Sequence, residues 1–133
     1  CDCLAFGCGS GGRLKGYGFM MNRSLADWSA GVDAGLKPVM VMTAPGPNWA
    51  LLRTVSSDME SGAINLPCIS ERFGVDVDAL TREVTSQWEE AGLVTRTGDW
   101  LVQTVAGQFW HVTLAQLLVD LIGKALRKEA LAA

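Results

Sequence analysis

The sequence predicts an α+β chain in two parts. A mainly helical, winged-helix-like domain spans residues 45–133, and a strand, a glycine loop and a helix precede it over residues 1–44. Three observations carry this. Six of the 15 glycines fall within the first 18 residues, directly after the short apolar run Leu4-Ala5-Phe6. Ala44-Pro45-Gly46-Pro47 is a rigid break, because Pro fixes its own φ and biases the residue before it toward extended backbone. Beyond that break, apolar residues recur at helical spacing, then give way to two strand-like runs around a turn, then resume.

The elements follow in order. Leu4-Ala5-Phe6 predicts a buried strand, and Gly7, Gly9, Gly11, Gly12, Gly16 and Gly18 a long flexible loop. Ser24 opens a helix with Asp27 three residues on, Leu25, Trp28 and Val32 form its apolar stripe, and Gly35 ends it. Lys37 to Thr43 is extended. Asn48 caps the next helix, in which Trp49, Leu52, Val55 and Met59 recur at helical spacing up to Ser61-Gly62. A helix over 66–73 has Pro67 in its first turn and Gly74 after its end. Val77, Leu80, Val84, Trp88 and Ala91 line one face of a third helix, and Gly92 supplies its left-handed stop. Leu93 to Val102, turning at Thr97-Gly98-Asp99, is a β-hairpin. A last helix over 105–128 carries Phe109, Val112, Leu117, Leu121 and Leu126. Three helices, a two-stranded wing and a closing helix make the winged-helix layout.

Composition excludes several classes of function. With 49% apolar and 19% charged residues in 133, the chain is not disordered, and it needs no disulfide or metal to fold. A net charge of −3 argues against a generic nucleic-acid or anionic-membrane binder. A winged helix reads DNA through its third helix, yet residues 76–91 hold five acidic side chains against Arg82 alone, and the wing offers only Arg96. Such a surface repels phosphate, so the domain is expected to pack as a cap. The stretch from Val112 to Ile122 is too short and too polar for a membrane span. No signal peptide is visible, and the expected location is cytoplasmic and reduced.

Cys1, Cys3 and Cys8 give a C-x-C-x4-C spacing that matches no standard zinc pattern, and Cys68 is expected as a small core residue. No metal site is predicted. Gly7 to Gly12 formally contains G-x-G-x-x-G, but a dinucleotide site needs a helix after it, and Gly16 and Gly18 argue against one. What remains is a loop whose backbone N–H groups could approach a ligand closely, with Arg13 and Lys15 able to pair with a carboxylate. His111, the only histidine, is expected as a surface or core residue in preference to a ligand. Met20, Met21, Met40 and Met42 are expected in the core in preference to a ligand contact. Tyr17 is expected in the loop.

Leu4 to Gly12, then Met21-Asn22-Arg23, Leu25-Ala26-Asp27-Trp28 and Gly35-Leu36-Lys37-Pro38, resemble the end of the catalytic barrel in oxygen-independent coproporphyrinogen III oxidases. Leu66 to Gly74 and Glu90 to Val94 resemble that family's C-terminal domain. The Cys-rich and Gly-rich version of the loop is similar to the anaerobic haem-utilisation branch, the HutW/ChuW-like radical SAM proteins. The resemblance implies that residues 1–44 are the remnant of an α/β (TIM-like) barrel and that residues 45–133 form its cap. It implies a parent enzyme with S-adenosylmethionine and a 4Fe-4S cluster that methylates haem and opens its ring, or alternatively decarboxylates coproporphyrinogen. Gly9, Ser10, Gly11 and Gly12 are then the cofactor-side positions, and Arg13, Lys15 and Asn22 the substrate-side ones. Residues 1–133 contain no C-x3-C-x2-C, so this chain alone is expected to bind no cluster and to be inactive. The start at Cys1 is expected to be a cut edge, and unpaired strand edges would favour self-association. The competing reading is a winged-helix interaction module with no chemistry.

Overall fold

A computed structural model describes residues 2–132; Cys1, the first of the three clustered cysteines, lies outside them. The chain divides into two compact units, Cys1–Trp49 and Ala50–Ala133.

The first unit is built on an antiparallel sheet. Strands β1 (Gly11–Leu14) and β2 (Tyr17–Met21) form a hairpin, and β3 (Val39–Thr43) lies on the other side of β2. Leu14 pairs with Tyr17 across Lys15-Gly16, whose φ values of 49° and 86° are those of a type I′ turn. Helix α1 (Leu25–Asp33) sits between β2 and β3 in sequence, with Ser24 as N-cap accepting from the Asp27 N–H and Gly35 at φ 71° after its end. Its expected stripe is not a core face: Trp28 is half-buried while Leu25 and Val32 are exposed.

Two expectations for this segment are overturned. Leu4-Ala5-Phe6 is neither a strand nor buried, with Leu4 60% and Phe6 84% exposed; only Cys3 makes a bridge, to Arg13. The glycine loop is largely a sheet, since Gly11, Gly12 and Gly18 lie in strands. Gly12 is needed for packing: a Cβ there would stand 2.8 Å from the Cys3 carbonyl oxygen and 2.9 Å from the Ala5 nitrogen. Parallel pairing, which a βα barrel requires, does not occur in this sheet. Met40 and Met42, expected inside, are exposed.

The second unit contains α2 (Trp49–Glu60), whose first residue ends the first unit, then β4 (Ala63–Asn65), α3 (Leu66–Phe73), α4 (Val77–Glu90), β5 (Val94–Thr97), β6 (Trp100–Gln103), α5 (Val105–Phe109) and α6 (His111–Ala132). The three strands form an antiparallel sheet in the order β4-β6-β5. The short strand β4 was not foreseen; it pairs Ile64 with Leu101 and leads straight into α3. Asn65 caps α3 through a 2.8 Å bond from the Cys68 N–H, and Asp76 caps α4 through a 2.9 Å bond from the Ala79 N–H. Gly98, first of the two central residues in the β5–β6 turn, takes φ 57°.

Val55, Met59, Ile64, Leu66, Val77, Leu118 and Ile122 form the centre of one core. On α4 the buried residues are Val77, Thr81, Thr85 and Trp88; of the expected face, Val77 and Trp88 are buried, Val84 packs against the core half-buried, Leu80 is half-buried and Ala91 is exposed. The Thr81 hydroxyl donates to the Val77 carbonyl at 2.8 Å, which lets a polar residue be buried there. The single closing helix is two, because Thr104 caps α5 and the chain breaks at Trp110 before α6 starts. That break shifts the phase. Leu114, Ala115, Leu118, Ile122 and Leu126 are buried, whereas Phe109, Val112 and Leu117 are exposed. Cys68, expected in the core, is also exposed. Among the described residues, no helix is long and apolar enough to cross a membrane.

Candidate functional site

The candidate site lies in the first unit, around the hairpin and the corner that closes it. Successive side chains of a strand point to opposite faces. Gly12 and Leu14, paired with Phe19 and Tyr17, therefore share one face, and Met42 joins them opposite Phe19. Gly11 and Arg13, paired with Met20 and Gly18, share the other.

The first of these faces forms the floor of a groove of about 630 Å³. Leu14, Tyr17, Phe19, Met21, Val39 and Met42 line it from the sheet, and Leu4, Ala5 and Phe6 line its side. Among the described residues, its only charged lining residues are Lys15, at the hairpin turn, and Lys37, just before β3, and no carboxylate lines it. The Lys15 N–H donates to the Asp2 carboxylate at 2.8 Å, which ties the turn to the N-terminal segment.

The glycine segment is closed by its own hydrogen bonds. The Gly9 N–H donates to the Asn22 carbonyl at 2.8 Å, and the Ser10 hydroxyl donates to the Gly7 carbonyl at 2.7 Å. The Cys8 thiol reaches the Asn22 and Arg23 carbonyls at 3.2 and 3.3 Å. Asn22 accepts from the Ser24 N–H through its side chain, which shapes the start of α1. Gly9 and Gly11 are both exposed; Gly9 takes φ 70°, whereas Gly11 lies outside the left-handed region and a Cβ there would make only ordinary contact with the Phe19 carbonyl.

The sequence-predicted residues thus divide. Lys15 lines the groove; Arg13 lies on the opposite face; Asn22, Gly9 and Ser10 hold the corner; and Gly12 serves the sheet. Lys37, Leu14, Phe19 and Met42 complete the groove and were missed as site residues. The alternation through β2 and β3 was their only signal, and it becomes a face once the register is known. His111 lies in the second unit, half-buried, with its Nδ1 2.9 Å from the Gln108 carbonyl. It lines a small polar hollow with Glu60 and Gln103.

Among the described residues, no cluster of three His, Cys, Asp or Glu could hold a metal ion. Cys3 and Cys8 in the first unit and Cys68 in the second are free thiols. An iron–sulfur cluster does not fit the residues described here. For a nucleotide-like cofactor the Gly9 N–H and the Ser10 hydroxyl are already used within the turn.

No family model matches the sequence. Over 122 residues, 91% of its length, the chain is 34% identical to the anaerobilin synthase of Escherichia coli O157:H7. The chain is HemN-like. Its fold also matches the solved structure of coproporphyrinogen III oxidase (HemN) from Escherichia coli, a radical SAM enzyme, with a TM-score of 0.70 over 88% of this chain at 15% identity. This HemN-like chain spans 26% of the first relative's length and 28% of the second's.

Proposed function

We propose that this chain is the C-terminal portion of a radical SAM enzyme acting on a tetrapyrrole, in anaerobic haem utilisation. The observation that carries the proposal is the 34% identity to an anaerobilin synthase along 91% of the chain. In this reading residues 1–44 are the last part of the catalytic domain, its antiparallel sheet lying along a barrel edge. Residues 45–133 are a winged-helix-like cap. The order helix, short strand, two helices and hairpin, with strand order β4-β6-β5, supports the cap assignment. The cluster and S-adenosylmethionine belong to the longer enzyme, where they would supply radical chemistry and a methyl group.

The chain's own residues bind and orient. Lys15 faces the acidic groups of the substrate, Arg13 is a second cation on the opposite face of the sheet, and Asn22 fixes the corner from which α1 departs. Gly9, Ser10, Gly11 and Gly12 remain the proposed cofactor-side positions, with the Gly9 N–H and the Ser10 hydroxyl engaged within the turn and Gly11 and Gly12 in β1. The fold match to coproporphyrinogen III oxidase supports the alternative, oxidative decarboxylation of coproporphyrinogen.

One experiment separates these readings. The full open reading frame encoding this chain is expressed, reconstituted anaerobically and given S-adenosylmethionine with haem or with coproporphyrinogen III. Loss of the haem Soret band with release of iron is expected. Carbon dioxide release from coproporphyrinogen III with haem left intact would favour the alternative, and no reaction with either would overturn both.

A further inference from the structure

We infer that the groove of the first unit is a seat for one face of a flat, apolar ligand carrying two carboxylates, with Lys15 and Lys37 as its paired anion contacts. The inference rests on the tetrapyrrole reading and adds to it the surface and the two residues. Three features of the groove argue for that occupant. Its volume of about 630 Å³ falls within the range of roughly 300–1,000 Å³ usual for small-molecule sites. Its floor is apolar and broad, with the Phe19 and Tyr17 side chains on one face of β2. Its charges are two cations with no carboxylate among the lining residues, in a chain whose net charge is −3. An apolar plate with two acidic substituents complements all three.

The position of Lys15 is itself informative. At φ 49° it is the one non-glycine residue with positive φ among the described residues, at a turn position where Asn, Asp or Gly is favoured. A lysine there gives up local backbone preference and gains a cation at the groove's edge. This permits a test that separates folding from binding, since Lys15→Asn suits the turn better and removes the charge.

The 133-residue chain is titrated with protoporphyrin IX and with its dimethyl ester, both delivered in the same nonionic detergent and followed by porphyrin absorbance and fluorescence. Binding of the diacid about tenfold tighter than the ester is expected. K15N and K37Q should each weaken diacid binding about threefold, the size of one exposed charge contact, and leave ester binding unchanged. K15N should keep or raise the thermal midpoint. Lys124→Gln, an exposed charge in the second unit, is the matched control, and Met42→Glu should abolish binding of both ligands. Equal binding of diacid and ester, K15N and K37Q behaving as K124Q does, or no porphyrin binding would each overturn the inference. So would concentration-dependent dimerisation that M42E removes, which would make a second copy the occupant. Turnover by the longer enzyme keeps the two proposals apart. If haem is consumed and K15N with K37Q changes nothing, the groove assignment fails and the tetrapyrrole reading stands. If the unsubstituted enzyme consumes no tetrapyrrole, that reading fails while the titration still judges the groove.

Discussion

The two units spend their apolar residues differently. Among the described residues, every buried hydrophobic side chain belongs to the second unit, from Leu51 to Leu126. In the first unit only Gly16 is buried among the described residues, while Phe6, Leu14, Tyr17 and Met42 are exposed. A soluble domain gains its stability by removing such side chains from water, at roughly 25 cal/mol per Å². The second unit does so around one core. The first unit holds its shape through sheet and turn hydrogen bonds and leaves an apolar face open. The contrast teaches where each kind of residue does its work: burial serves structure in residues 50–133, and exposure leaves open in residues 1–49 the apolar face that we propose as the ligand's seat.

The largest expected effect comes from emptying the core. Leu118→Ala, at a fully buried position, should cost about 2–5 kcal/mol by denaturant unfolding. Leu14→Ala, the same change in the groove, should stay within about 0.5 kcal/mol. Equal costs would break the contrast. Next come the two crowded glycines. A Cβ on Gly107 would collide with the Leu93 carbonyl, so Gly107→Ala should cost roughly 1–3 kcal/mol of global stability. Gly12→Ala should act locally, speeding amide exchange at Met20 and Met21 without moving the main unfolding transition.

Helix caps give a smaller test. Asn65→Ala should lose about 1 kcal/mol and Ser24→Ala about half of that, in line with capping bonds of 2.8 and 3.3 Å. The smallest effect concerns Asp58. Burial pushes its carboxyl above the ordinary value of 3.8, against the opposing pull of Arg72. The folded state therefore holds the proton more tightly than the unfolded state. Stability is gained as pH falls through the raised pKa toward 3.8, and lost as pH rises. Asp58→Asn should be slightly more stable than the natural chain at pH 7, with the difference vanishing below pH 3.8 in paired thermal melts.

Much of the second unit was legible because its punctuation is local. Pro67, Gly74, Gly92 and Thr97-Gly98-Asp99 mark boundaries that need no tertiary knowledge. What was illegible needed longer-range information. Gly11, Gly12 and Gly18 look like a loop because glycine has no strand preference of its own; only Phe19 and Met20 opposite them make the ladder. The break at Trp110 carries no Pro or Gly. With apolar residues at 112, 114, 117, 118, 121 and 122, α6 offers two plausible stripes, and the start of the helix chooses between them. Lys15 was legible as a cation near glycines. Lys37 was not, because it stands 22 positions beyond Lys15 and only the fold places both along one groove.

Native-state amide hydrogen exchange of the 133-residue chain, run with and without protoporphyrin IX, tests the division of labour most directly. Without ligand, protection should approach the global unfolding limit in α2, α4 and α6 and be far lower in β1, β2 and β3. With ligand, protection should rise through residues 11–21 and 37–43 and stay unchanged in 50–133. Protection gained in the second unit instead, or strands β1–β3 already at the global limit without ligand, would contradict it.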